Sequence, residues 1–122
     1  MNSSFFVGRV AILEWLNSTF DMSLAKVEQT ASGAVLCQIL DAIYGDVPMH
    51  KVRWDCKAPH EMLNNYKIIQ GVFGKHGIDK VLDPTKLTRA RFQDSLEAMQ
   101  FAKSFFEANA GDMASYDAWK RR

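Results

Sequence analysis

Residues 32–44 place apolar side chains in pairs that recur every four positions: Val35 and Leu36, Ile39 and Leu40, Ile43 and Tyr44. On a helix of 3.6 residues per turn these pairs stack along one side, whereas a strand would scatter them over both faces. A stripe this wide commits the helix to a core, so the rest of the chain must supply further apolar faces to cover it. Ser32 stands where an N-cap is expected, and Gly45 where a left-handed residue would stop the helix.

Three other segments supply such faces. In residues 8–20, Ile12, Trp15, Leu16 and Phe20 follow spacings of three and four, and Asn17, Ser18 and Thr19 weaken the end of the helix. Pro59 suits a first helical position, Met62, Tyr66, Ile69 and Phe73 line the face behind it, and Gly74 and Gly77 mark its end. Residues 92–109 carry Ala98, Phe101, Ala102 and Phe105 on one side with Leu96, Met99 and Phe106 beside them, and Gly111 ends the run. Short pieces are expected at residues 26–29, at residues 86–89 behind Asp83-Pro84, and as a last turn in the charged tail 115–122. Residues 46–58 show no helical period, are punctuated by Pro48, and read as a loop with a short extended part. No strand alternation persists, and no repeat appears. The expectation is one all-α domain over residues 1–122, with four main helices and two or three short ones.

A chain of 122 residues that is 48% hydrophobic can bury one core without metals or disulfides. No window approaches the roughly 18 apolar residues of a membrane span. Residues 1–9 have no basic region ahead of an apolar one, so no signal peptide is expected. Cys37 and Cys56 make no disulfide framework and are read as thiols in reducing cytosol.

Reactive clusters are missing from the pattern. There is no GxSxG, P-loop, GxGxxG after a strand or HExxH. His50, Cys56 and His60 lack the tight pairing of a structural zinc site, and Cys37 sits within an apolar helix. Glu14 reads as a helix-surface carboxylate, and His76 as a helix-end residue facing terminal carbonyls. No enzyme activity, catalytic residue, cofactor or metal is expected.

Charge is more informative. The net charge is only +1, but residues 1–49 carry two basic and five acidic side chains. Residues 50–74 carry four against two, residues 75–91 five against two, and residues 92–122 four against five. The positive charge is therefore concentrated between His50 and Arg91. In an extended stretch, Lys51 and Arg53 would point one way and Val52 and Trp54 the other, so that Trp54 anchors the loop and the cations face solvent. Lys80, Lys86, Arg89 and Arg91 gather where a short helix must turn into a long one. These two segments predict a docking face for an acidic partner. The chain is not basic enough overall for nucleic acid, and no aromatic ladder interleaves the cations. A protein lattice of negative surface charge fits better.

The residues also resemble the end-binding microtubule plus-end tracking family. The likeness is carried by Lys26-Val27-Glu28-Gln29, Ser32-Gly33-Ala34 with Cys37-Gln38, and Lys51-Val52-Arg53 with Trp54 and Lys57. It continues through His60-Glu61, Asn65-Tyr66-Lys67-Ile68-Ile69-Gln70, Gly77-Ile78-Asp79-Lys80, Lys86-Leu87, Arg91-Phe92-Gln93-Asp94 and Phe105-Phe106-Glu107-Ala108-Asn109. Order and spacing hold from about Val10 to Asn109. The resemblance implies a calponin-homology fold, binding to the tubulin lattice in the groove between protofilaments, and a location in the cytoplasm on the microtubule cytoskeleton. By position it places microtubule contacts on Arg9, Lys51, Lys57, Lys80, Arg89, Arg91 and Gln93. Arg9 and Gln93 come from the resemblance alone, since the charge pattern does not select them. His50 stands where the family commonly has lysine, Phe101 where it has tryptophan, and Ala102 where it has lysine. Arginine replaces lysine at Arg53, Arg89 and Arg91, which keeps charge and changes hydrogen-bond geometry. The family's linker, coiled coil and cargo-binding region have no counterpart before Arg122, so this chain is expected to be monomeric and dimerisation to belong to a coiled coil outside it. Other calponin-homology domains bind actin filaments, usually in tandem pairs, or act as scaffolds. That is the alternative, and the single copy and the end-binding residues count against it.

Overall fold

The computed structural model describes residues 7–122. The signal-peptide expectation rests largely on residues 1–6, which lie outside the described residues. Four long helices form: α1 (Arg9–Phe20), α2 (Ala34–Tyr44), α3 (Pro59–His76) and α5 (Phe92–Asn109). The short helices are a 3-10 segment at Val27–Ser32, α4 (Pro84–Leu87) and α6 (Ala118–Arg121), and a further 3-10 turn occupies Met49–Lys51. No strand forms among the described residues.

α2 packs against both α3 and α5, and α1 and the Val27–Ser32 segment also pack on α5. The paired pattern predicts one wet side for α2, but every residue from Ala34 to Asp41 is buried, including Cys37, Gln38 and Asp41. A helix enclosed on all sides must satisfy its polar groups internally. The tail does this. Gln38 donates to the Tyr116 hydroxyl (2.9 Å) and the Ala118 carbonyl (3.1 Å). Asp41 accepts from the Tyr116 hydroxyl (2.9 Å) and from Arg121 Nε and Nη2 (2.8 and 2.7 Å). Arg122 donates to the carbonyls of Phe20 and Asp21. The charged tail is thus a clasp, because the buried amide and carboxylate of α2 have their partners there.

Other differences have local causes. Val27–Ser32 extends beyond the expected single turn, and its end is set by Gly33 at φ +85°. Gly33, not Ser32, is the N-cap of α2, although Ser32 Oγ still accepts from the Ala34 amide (3.2 Å). A Cβ at Gly33 would lie 3.1 Å from Asn65 Cβ and Tyr66 Cε2, so glycine is required there on both counts. The polar end of α1 does not unravel it. Asn17 both accepts from the Leu24 amide (2.8 Å) and donates to its carbonyl (3.0 Å), tying down the chain that leaves the helix. Trp15, Phe20 and Phe106 meet at centroid distances of 5.6–5.9 Å and join α1 to α5. Gly45 and Gly77 close α2 and α3 in left-handed conformations, as expected.

Candidate docking face

The loop after α2 is built by α3. Asn65 is fully buried. Its side chain accepts from the Arg53 amide (2.9 Å) and donates to the carbonyls of Arg53 (2.8 Å) and Ser32 (2.9 Å). One turn of loop and the entry to α2 are therefore held by a single amide. Asn64 donates to the Lys51 carbonyl (3.0 Å). Glu61 accepts from the amides of Ala58 (3.0 Å) and Lys57 (3.3 Å), and these bonds hold its carboxyl below the ordinary carboxylate range. The consequence is the alternation expected from the sequence, although a 3-10 turn replaces part of the extended stretch. Lys51, Arg53 and Lys57 are exposed, Val52 is buried and Trp54 is half-buried against the core.

The second cationic segment is a corner. Asp83 caps α4 by accepting from the Lys86 amide (3.3 Å), and Lys86 pairs with Asp94 of α5 at 3.3 Å. Between the two helices Ala90 adopts φ +57°, a left-handed conformation that costs an L-residue roughly 1–2 kcal/mol. That bend sets Arg89 and Arg91 on the outside, and Arg91 is the N-cap of α5 with its side chain free of capping duty. Gln93 follows in the first turn, exposed, donating to Glu97 (3.1 Å).

The remaining two residues also lie against α5. Lys80 stands 5.1 Å from the centre of the Phe101 ring, and shares a groove of about 170 Å³ with Lys86, Asp94 and Glu97. Gln93, Glu97 and Gln100 occur at spacings of four and three, hence on one stripe of α5. Gln100 donates to the Val7 carbonyl (2.8 Å), which brings the start of α1, and so Arg9, to that stripe. Arg9, Lys80, Arg89, Arg91 and Gln93 are therefore gathered around α5. Lys51 and Lys57 sit apart, beside the N-terminal half of α3. All seven side chains are exposed, and no ion pair among the described residues engages any of the six cations.

Burial pushes the Cys37 thiol up to about 12, and it donates to the Asn65 carbonyl. Cys56 donates to the Arg53 carbonyl and accepts from Asn65. Among the described residues no group of three or more His, Cys, Asp or Glu side chains is placed to hold a metal ion, and no helix is long and apolar enough to cross a membrane. His76 faces a different partner from the expected carbonyls: its Nε2 lies 2.9 Å from Asp46, and its ring stacks on Tyr44 at 3.6 Å.

Sequence reasoning missed the supports: Asn64, Asn65, Glu61, Asp94 and Ala90. Asn65 did carry a signal. It falls three residues after Met62 and four before Ile69, so a polar amide sits on an apolar stripe and must have work to do there.

Residues 7–111 match the model of the calponin homology (CH) domain, and the chain belongs to that family. A chain from a study of the structural basis of microtubule plus end tracking by XMAP215, CLIP-170 and EB1 superimposes with a TM-score of 0.90 at 40% identity, covering 94% of this chain and 97% of its own. Within the family this domain is of the end-binding type. It is 46% identical over its whole length to microtubule-associated protein RP/EB family member 1C of Arabidopsis thaliana, and 41% identical over 93% of its length to the microtubule integrity protein mal3 of Schizosaccharomyces pombe. It spans 37% of the length of each of these two relatives.

Proposed function

We propose that this domain binds the microtubule lattice through Arg9, Lys51, Lys57, Lys80, Arg89, Arg91 and Gln93. As part of a longer plus-end tracking protein it would act on microtubule dynamics at growing ends in the cytoskeleton. It works as a binding module and not as an enzyme, and alone it is a monomer.

The observation that carries this reading is the set of six exposed cations that have no ion-pair partner among the described residues, mounted on elements that are themselves tied down. Exposed ionic contacts contribute about 0.2–1 kcal/mol each, so affinity needs several acting together. A rigid mounting spares the ordering cost that a mobile loop would add on binding. Screening makes such binding fall with added salt.

Co-sedimentation tests it. The domain is expected to pellet with microtubules at low salt, to pellet less at moderate salt, and to stay in the supernatant with actin filaments. Pelleting with actin filaments alone would overturn the reading in favour of an actin-binding domain.

A further inference from the structure

Cations steer a partner and set register, but the energetic centre of an interface is depleted of charge and rich in apolar groups that become fully desolvated. A face made only of lysine and arginine lacks that centre. Five large apolar side chains are exposed among the described residues: Val10 (63%), Leu63 (37%), Val81 (88%), Phe92 (38%) and Trp119 (63%). A single exposed valine needs no explanation. Their placement does. Val10 directly follows Arg9 on α1, Val81 follows Lys80 in the connector between α3 and α4, and Phe92 follows Arg91 at the start of α5. Trp119 is occupied otherwise, donating to Asp21 and lying 4.3 Å from the Arg122 guanidinium.

Val81 is the most exposed of the five. Its neighbours Ile78 and Leu82 pack on the core and hold the connector down, so the chain leaves Val81 outside while fixing its position. It stands where two grooves meet. One, of about 170 Å³, is the polar groove with Lys86, Asp94 and Glu97. The other, of about 190 Å³, is floored by Tyr66, Ile69 and Phe73. Lys80, Val81 and Leu82 line both grooves, which puts the Lys80 cation and the exposed valine at one place on the surface.

We infer that Val81 is the apolar anchor of the docking face, and that its occupant is the tubulin lattice. The inference rests on the lattice-binding reading above. Charge and apolar contacts differ in one measurable respect, because salt screens the first and leaves the second. Binding of the domain to microtubules is therefore measured by co-sedimentation over a series of salt concentrations for wild type, Val81→Ser, Val81→Ile and Lys80→Ala. Val81→Ser is expected to weaken binding about tenfold at every salt concentration, leaving the salt slope unchanged. Val81→Ile should bind as wild type does or more tightly. Lys80→Ala should weaken binding and flatten the slope. Since Val81 touches so little of the domain, its melting temperature should not move. Wild-type affinity for Val81→Ser, or a changed salt slope, overturns the anchor while leaving the lattice-binding reading standing. Failure of the wild type to pellet at low salt overturns that reading, and the anchor with it.

Discussion

Two pairs of arginines lie near one another in sequence and do opposite things. Arg121 and Arg122 are committed inward: one to the buried Asp41 carboxylate, the other to carbonyls at the end of α1. Arg89 and Arg91 straddle a left-handed alanine, face outward, and have no ion-pair partner among the described residues. The first pair closes the domain. The second is available to a partner. A residue count treats all four alike, so the distinction lies entirely in what each guanidinium meets. Lys86 makes the same point within one segment, since its pairing with Asp94 removes it from the free set and turns it into a brace for the corner.

The contrast can be broken from either side. The largest effect is expected at Asn65, on the side that mounts the free cations. Asn65→Ala removes three hydrogen bonds to backbone groups of Arg53 and Ser32 and a fourth to Cys56, and leaves those partly buried groups unpaired, for a loss of about 3 kcal/mol. Urea unfolding should show that loss, and microtubule pelleting should weaken because Lys51 and Lys57 lose their platform. Next comes Arg121→Ala, at about 2 kcal/mol. It strips a buried carboxylate of its cation, although the Tyr116 hydroxyl remains and the guanidinium is half-exposed. Below its lowered melting point this variant should pellet like wild type. A third variant, Ala90→Val, forces a β-branched residue into the left-handed bend and should cost about 1–2 kcal/mol, whereas Ala90→Gly should stabilise slightly.

The smallest effect concerns acid. The amides of Ala58 and Lys57 hold the Glu61 carboxyl below its unfolded value. A carboxylate depressed in the folded state contributes stability above the ordinary carboxylate range, and loses it as pH falls through the folded value. Melting temperature should therefore decline on acidification, and Glu61→Gln should flatten part of that decline.

The contrast also marks what the sequence could and could not convey. Spacings of three and four delivered the long helices, because apolar periodicity is a local record of burial. Residues 92–109 coincide with α5 for that reason. Asp83 and Gly45 were legible likewise, as their chemistry acts within one turn, although the short helix behind Asp83 spans Pro84–Leu87 and not the expected residues 86–89. The clasp was invisible because Gln38 and Asp41 find their partners 75–84 residues away, and nothing near them in sequence announces it. The cationic segments were legible as charge, but their rigidity was not, since it depends on Asn65 and on the bend at Ala90. Arg9 joins the face because the Gln100–Val7 bond and the Trp15–Phe20–Phe106 cluster seat α1 against α5, contacts between residues far apart in sequence.

We propose that the uncommitted cations around α5 bind the lattice while the committed ones do not. The decisive measurement is pelleting of Arg91→Glu and Arg121→Ala side by side with microtubules, with melting temperatures recorded for both. Arg91→Glu should keep its stability within about 0.5 kcal/mol and lose most of its binding. Arg121→Ala should lose stability and keep its binding. Wild-type pelleting by Arg91→Glu would mean that the exposed cations around α5 do not carry lattice binding.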